Sequence, residues 1–294
     1  MCLGCILASG NFFRVEAVDR SKHLSYYIRA VVFGLKNEFE SLLRKRIVDI
    51  AVVIPARYGS SRFAGKVLAK KTGKYLVQHT YERALCARRA GQVLIATDDE
   101  RVLAACEEFG AACVMTSVEH QSGTDRIAEA VRDLDVDIVV NLQADEPDID
   151  PVYIDGVAGL LVDNRDAQMA TLLAPFENEE DVVNPNIVKC ITDTAGRAIY
   201  FSRSVIPYDR SAGGVGDMAN YKRHLGIYAY RKEFLMTYTA MKPSFLEQAE
   251  KLEQLRAIEN GYTILTAIVE KAWDGVDTEE QYQAFVRRQR GKTN

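Results

Sequence analysis

The sequence predicts an α/β protein on a mostly parallel central sheet, with an antiparallel portion inserted in its second half. Three observations predict it. Short apolar runs at 50–54, 93–97 and 137–143 alternate with amphipathic stretches at helical spacing. Those runs are apolar nearly throughout, as strands must be when helices cover both faces of a sheet. In the second half, 187–191 and 197–201 flank Asp193-Thr-Ala-Gly196, a hairpin signal.

The elements follow in order. Residues 1–46 stand apart as an N-terminal extension. Leu24, Ile28, Val31, Leu35, Phe39 and Leu42 recur at helical spacing, giving one amphipathic helix over 22–45. Arg44, Lys45 and Arg46 then fall where the helix dipole favours cations. Glu38 and Glu40 dilute the basic face, so the extension is read as dispensable rather than membrane-bound. The domain proper runs over 47–294.

Its first strand is IAVVI, 50–54. A helix at 74–89 carries Leu76, Val77, Tyr81, Ala84 and Leu85 on one side. VLIAT at 93–97 is a strand, and the helix at 100–109 stops at Gly110. A short strand occupies 112–116. Ser122-Gly-Thr-Asp125 resembles a capping box for a helix through Val131. DIVVNLQ at 137–143 is the next buried strand. Beyond the hairpin come a polar loop at 209–217, a strand at 225–230 and a helix at 246–260 ended by Gly261. A strand at 264–269 and a helix at 278–288 complete the chain. The portion at about 180–230 is read as the insertion, covering the site or making a dimer contact.

Composition narrows the function. The chain has 294 residues, 48% hydrophobic and 27% charged, with net charge −4. A general nucleic-acid binder is usually basic, so that class is set aside. No apolar run reaches the length of a membrane span, and the start lacks the basic region of a signal peptide. A cytoplasmic protein without stable membrane insertion is expected. Cys2 and Cys5 have no second pair to complete a zinc pattern, and the other cysteines read as free thiols.

Ligands of open α/β sheets sit beyond the carboxyl ends of the strands. Two segments occupy that edge. The first is the loop after the opening strand, where Gly59, Ser60 and Ser61 stand among Arg57, Arg62 and Lys66. Amides of a Gly/Ser loop form an anion nest, arginine offers a planar fork and lysine a mobile charge. Three cations there suit a triphosphate. The loop is not a P-loop, because Gly59 and Gly65 are one residue too far apart and Val67 follows Lys66. The second segment is Gln143-Ala144-Asp145-Glu146. A carboxylate at a strand end, such as Asp145, suits Mg²⁺, which binds one or two carboxylates plus substrate phosphates. Asp277, in GVDTEE, is either a second metal ligand or a helix N-cap.

IPARYGSSRFAGK, IATDDERV, EHQSGTDRIAEAV, DIVVNLQADEP, FSRSVIPYDR, YKRHLGIYAY, LEQLRAIENGY and GVDTEE occur in this order. Through them the chain from about 47 to 285 closely resembles the 3-deoxy-manno-octulosonate (KDO) cytidylyltransferases, the CMP-KDO synthetases of Gram-negative lipopolysaccharide biosynthesis. The resemblance implies a Rossmann-like (GT-A-like) nucleotidyltransferase fold and a homodimer. The implied reaction is CTP plus KDO to CMP-KDO plus pyrophosphate, with Mg²⁺. It implies a phosphate loop of Arg57, Ser60, Arg62 and Lys66, with Arg57 and Lys66 catalytic, and Gln143 on the nucleotide. It puts magnesium on Asp145 and Asp277. It implies a sugar-acid pocket of Arg203, Arg210, His224, Tyr228, Glu253 and Gln254. The alternatives are a CMP-activating enzyme for 8-amino-KDO or sialic acid, and a nucleotide-binding regulator without turnover. Two residues depart from the family: Ala64 where proline is usual, and Ala144 where glycine is usual. Ala144 is expected to exclude a glycine-only backbone conformation. His79 and His120 read as structural.

Overall fold

The computed structural model describes residues 48–59, 62–273 and 275–291. The expected helix at 22–45, the Cys2 and Cys5 pair, and Ser60 lie outside the described residues. Four apolar runs become the parallel half of the sheet: β1 (Ile50–Pro55), β2 (Gln92–Thr97), β3 (Cys113–Met115) and β4 (Ile138–Asn141). They lie in the order β3-β2-β1-β4. Ala51, Val52, Val53 and Ile54 are fully buried, because helices cover both faces. Ile50, Val52 and Ile54 join one core, and Ala51 and Val53 the other.

The connecting helices are α1 (Leu76–Leu85), α2 (Glu100–Phe109) and α3 (Gly123–Ala130). Asp99 caps α2 by accepting from the Arg101 amide, and Gly110 ends it at φ 74°. Ser122 caps α3 by accepting from the Asp125 amide. Helix α1 is shorter than the sequence suggested. Leu85, expected on its buried side, is 56% exposed. Thr80 is buried instead and donates to the Ala144 carbonyl at 3.0 Å.

The second half adds α4 (Pro151–Asp163), β5 (Met169–Pro175), α5 (Glu179–Val183) and the hairpin β6 (Lys189–Thr192) and β7 (Ala198–Ser202). Strand β8 (Lys222–Arg231) runs antiparallel between β4 and β5, and β9 (Ile264–Ile268) is parallel to β5. The sheet is therefore mixed and mostly parallel on one side, with β6 joined to β8 at Lys189 and Arg223.

Helix α6 (Lys232–Ala240) follows β8 directly. The single helix expected over 246–260 is instead two, α7 (Phe245–Glu250) and α8 (Leu255–Glu259). Lys251 breaks it by adopting φ 53°, where its amide donates to the Glu247 carbonyl. The turn lets Arg256 reach back to Glu247, both buried, through bonds of 2.7 and 2.5 Å. Helix α9 (Glu279–Gly291) closes the chain over Leu76 and Val276. Among the described residues no helix is long and apolar enough to cross a membrane. Cys106 and Cys190 are buried thiols, and Cys86 is exposed.

Candidate active site

The loop after β1 is shaped by one close contact. Gly65 has φ 64°, and its amide donates to the Tyr58 carbonyl at 3.2 Å. A Cβ there would meet the Tyr58 ring at 2.9 Å. The Arg101 guanidinium lies 3.4 Å from the same ring's centroid, so Tyr58 is held by cation–π attraction as well. Phe63 packs on Tyr282 of α9 with ring centroids 5.5 Å apart. This turn delivers Lys66 as the first residue of a short 3-10 turn, Lys66–Leu68, with Val67 buried beneath it.

Lys66 Nζ donates to Asp145 Oδ2 at 2.5 Å and to Asp277 Oδ1 at 2.8 Å. Arg62 pairs with the other oxygen of Asp277 at 3.2 Å. Burial acts to lower the Lys66 pKa, but the Asp145 charge, and after it Asp277, outweigh burial and hold it above the ordinary lysine value. The ambiguity at Asp277 resolves locally. Thr278 Oγ1 accepts from the Gln281 amide, while Gln281 Oε1 accepts from the Asp277 and Thr278 amides. Thr278 therefore caps α9, which leaves the Asp277 carboxylate for Lys66 and Arg62. Arg57 is exposed and makes no hydrogen bond or ion pair among the described residues.

Behind the carboxylates the two segments are tied together. The Val276 amide donates to the Asp145 carbonyl at 2.8 Å. A Cβ on Gly275 would meet Glu146 Oε1 at 3.1 Å, so glycine lets the segments close. Glu146 is a residue the sequence reading passed over. Burial first, and then Asp145, push its carboxyl well above the carboxylate range, and Oε2 has no partner among the described residues. Arg223 of β8, also passed over, acts on Glu146 in the opposite sense. Gln143 donates from Nε2 to Asn141 Oδ1 at 2.8 Å, just past β4. Ala144 is buried in the core, and among the described non-glycine residues only Lys251 has a positive φ. Ala144 thus keeps an ordinary negative φ, as expected of a residue that excludes the glycine-only conformation. Ala64 is exposed.

No group of three or more His, Cys, Asp or Glu side chains able to hold a metal occurs among the described residues. Two carboxylates converging on one ammonium still fit Mg²⁺, whose remaining ligands are phosphate and water oxygens. Lys66 stands where a cation between them would stand.

The expected sugar-side residues fall into two groups. His224 and Tyr228 come together on β8, ring centroids 5.3 Å apart. His224 Nε2 is 3.1 Å from Thr171 Oγ1, and burial pushes its imidazole down to about 3. Glu253 follows the break after α7, where Oε2 accepts from Thr124 at 2.9 Å and its carbonyl from Tyr238 at 2.5 Å. Burial dominates its raised carboxyl pKa, and its charge also acts on Tyr228. Gln254 is buried, and its Nε2 has no partner among the described residues. Thr124 could have been found in the sequence only through its place in the SGTD motif. The two arginines differ from this group. Arg203 spends its guanidinium on the carbonyls of Glu250, Pro185 and Lys251. Arg210 is exposed and unpaired among the described residues.

A family model described as cytidylyltransferase matches residues 51–267. A 3-deoxy-manno-octulosonate cytidylyltransferase of Geotalea daltonii is 47% identical over 238 residues, 79% of this chain and 94% of that protein. One of Idiomarina loihiensis is 48% identical over 246 residues, 80% of this chain and 96% of that protein. Among solved structures, a CMP:2-keto-3-deoxy-manno-octonic acid synthetase complexed with CTP superposes with TM-score 0.78 at 40% identity. The match covers 83% of this chain and 99% of that one. A Leptospira borgpetersenii cytidylyltransferase, 16% identical with TM-score 0.55, shares the fold. By identity, coverage and architecture together, the chain belongs to the 3-deoxy-manno-octulosonate cytidylyltransferase family.

Proposed function

We infer that the chain transfers CMP from CTP to the anomeric hydroxyl of KDO, giving CMP-KDO and pyrophosphate for lipopolysaccharide biosynthesis. One observation carries the reading at the level of the site: the Lys66 ammonium bridging Asp145 and Asp277 beside Arg62, at the carboxyl edge of the sheet. The solved relative with CTP bound supports CTP as the nucleotide.

The anomeric hydroxyl attacks the α-phosphorus of CTP and releases its proton to solvent, the bond to the bridging oxygen of the β-phosphate breaks, and pyrophosphate leaves. Arg57, Arg62 and Lys66 hold the phosphates and offset the charge that grows on the leaving group. Gln143 faces the nucleotide. Asp145 and Asp277 would hold Mg²⁺, which when bound would supply Lewis-acid polarisation of the α-phosphate and a lower pKa for the attacking hydroxyl. His224 is neutral and, with Tyr228, Glu253 and Gln254, meets the sugar hydroxyls by hydrogen bonds. Arg210 is the freer cation for the KDO carboxylate, while Arg203 holds the wall through main-chain carbonyls. No covalent enzyme intermediate is needed, since positioning and electrostatics supply the catalysis.

The family resemblance supports a cytoplasmic homodimer whose activity resides in 47–294, with 1–46 dispensable. Pyrophosphate release tests the substrate assignment, measured with KDO, 8-amino-KDO and sialic acid against CTP, ATP, GTP and UTP. KDO with CTP should give the highest kcat/KM. Faster release with sialic acid would overturn the sugar assignment.

A further inference from the structure

A cavity of about 570 Å³ opens between α1, the Pro147–Asp148 turn and the end of α9. That volume falls in the range of small-molecule sites, roughly 300–1,000 Å³. Neither Lys66, Asp145 nor Asp277 lines it, and none of the sugar-side residues does. It is a different place from the catalytic edge.

Its charges do not cancel. Lys74 is matched by Glu82 at 2.6 Å and Lys71 by Glu279 at 2.8 Å. Asp148 is taken by Arg288 at 2.9 Å. Two lining guanidiniums are left over. Arg83 is half-buried and, among the described residues, commits only Nε, to the Ile149 carbonyl at 2.7 Å. That bond fixes the plane of its fork and leaves both terminal nitrogens without a partner among those residues. Arg290 makes no hydrogen bond or ion pair among the described residues. Each such fork matches one carboxylate or phosphate edge. A ligand-sized cavity holding two uncommitted forks carries two positive charges toward whatever fills it.

We propose that this cavity binds a compact dianion, of the phosphomonoester or dicarboxylate class, between Arg83 and Arg290. Its walls run directly into the catalytic edge. Pro147 follows Glu146, Thr80 of α1 holds the Ala144 carbonyl, and α9 begins just beyond Asp277. The site is thus built on the same three segments that position the two proposed metal ligands, but from behind.

Calorimetric titration of the full chain tests this, with saturating CTP present to occupy the phosphate loop. Glycerol 3-phosphate and succinate are the two probes, and the one that binds more tightly identifies the class. Saturable one-to-one binding of either is expected, weakened at least about tenfold by Arg83→Gln and by Arg290→Glu, as loss of a charged fork implies. Arg290 lies exposed in the last turn, so its replacement leaves folding intact. Failure of both probes to saturate, or affinity that survives either substitution, overturns the proposal. Substitution at these residues rather than the presence of CTP decides the result, so a failed nucleotide assignment would not be mistaken for a failed cavity.

Discussion

Lys66 Nζ lies 2.5 Å from Asp145 Oδ2, across 79 positions of chain, and the same ammonium reaches Asp277. An ammonium held by two carboxylates is neutralised, and it serves phosphates fully only when those carboxylates have another cation. Lys66→Met should therefore act in two directions. Turnover of CTP should fall by about 10²–10³, the usual loss for a group that stabilises transition-state charge. Affinity for Mn²⁺ without nucleotide, read by electron paramagnetic resonance, should rise, because the two carboxylates lose their internal counter-ion. Asp277→Asn should lower that affinity. Unchanged Mn²⁺ affinity in both variants would remove the shared site.

Gly65 makes the turn in the loop proposed to hold the CTP phosphates. Its φ of 64° and the Tyr58 ring together exclude a side chain. Gly65→Val should raise the KM for CTP and lower stability by about 1–2 kcal/mol, the cost of forcing an L-residue into the left-handed region. Thermal unfolding and the CTP titration read the two effects. Replacing Tyr58 as well should recover only the steric part, since φ is unchanged.

Part of this architecture was legible in the chain and part was not. Strands β1, β2 and β4 were legible because burial on both faces leaves them apolar at consecutive positions. The C-terminal end of α2 and the start of α3 were legible from Gly110 and Ser122, whose chemistry is local. Helix α4 was not, since its buried residues Ile154, Val157, Ala158 and Leu161 sit in a segment apolar on most sides, which shows no helical stripe. The break at Lys251 was hidden too. Leu246, Leu252 and Leu255 keep plausible helical spacing, and lysine gives no warning of a left-handed φ. At the site, Asp145 announced itself at the end of a strand. Its meeting with Asp277 depends on tertiary folding and was available only through the family resemblance. Glu146 drew no role in the sequence, because nothing there reveals that Gly275 lies against its carboxylate or that the Trp273 side chain hydrogen-bonds to it.

The buried pair Glu247 and Arg256 fixes the broken helix that carries Glu253 and Gln254. Removing one partner leaves the other charge buried, so Glu247→Ala should cost about 3–5 kcal/mol in urea unfolding. Burial opposes ionisation of Glu247, but the Arg256 hydrogen bond and the Ser244 amide hold its pKa below the ordinary value. A folded pKa below the unfolded one means the contribution is fully present above about 4.3 and is lost as pH falls through the folded value. Glu247→Gln should flatten that acid limb. A limb of unchanged steepness would show that other carboxylates govern it.

His224 titrates in the same sense for a different reason. Its ring packs edge-on against Phe201 at 4.9 Å and beside Tyr228, and burial pushes its pKa down to about 3. In the unfolded chain the value is about 6.5, so the unfolded state takes up a proton that the folded state refuses. Stability is therefore complete above about pH 6.5 and is lost progressively as pH falls toward 3, by up to about 1.4 kcal/mol per pH unit. His224→Gln keeps a hydrogen-bonding group near Thr171 but removes the titration. Urea unfolding at pH 7.5, 6 and 5 should give a steeper decline for the wild type than for the variant, whatever the offset between them. Parallel declines would mean that His224 carries its proton in the fold, and would make it a candidate cation for the KDO carboxylate. Under the neutral assignment, kcat/KM shows no inflection from His224 near pH 6.5, and its replacement raises the KM for KDO while leaving that for CTP unchanged.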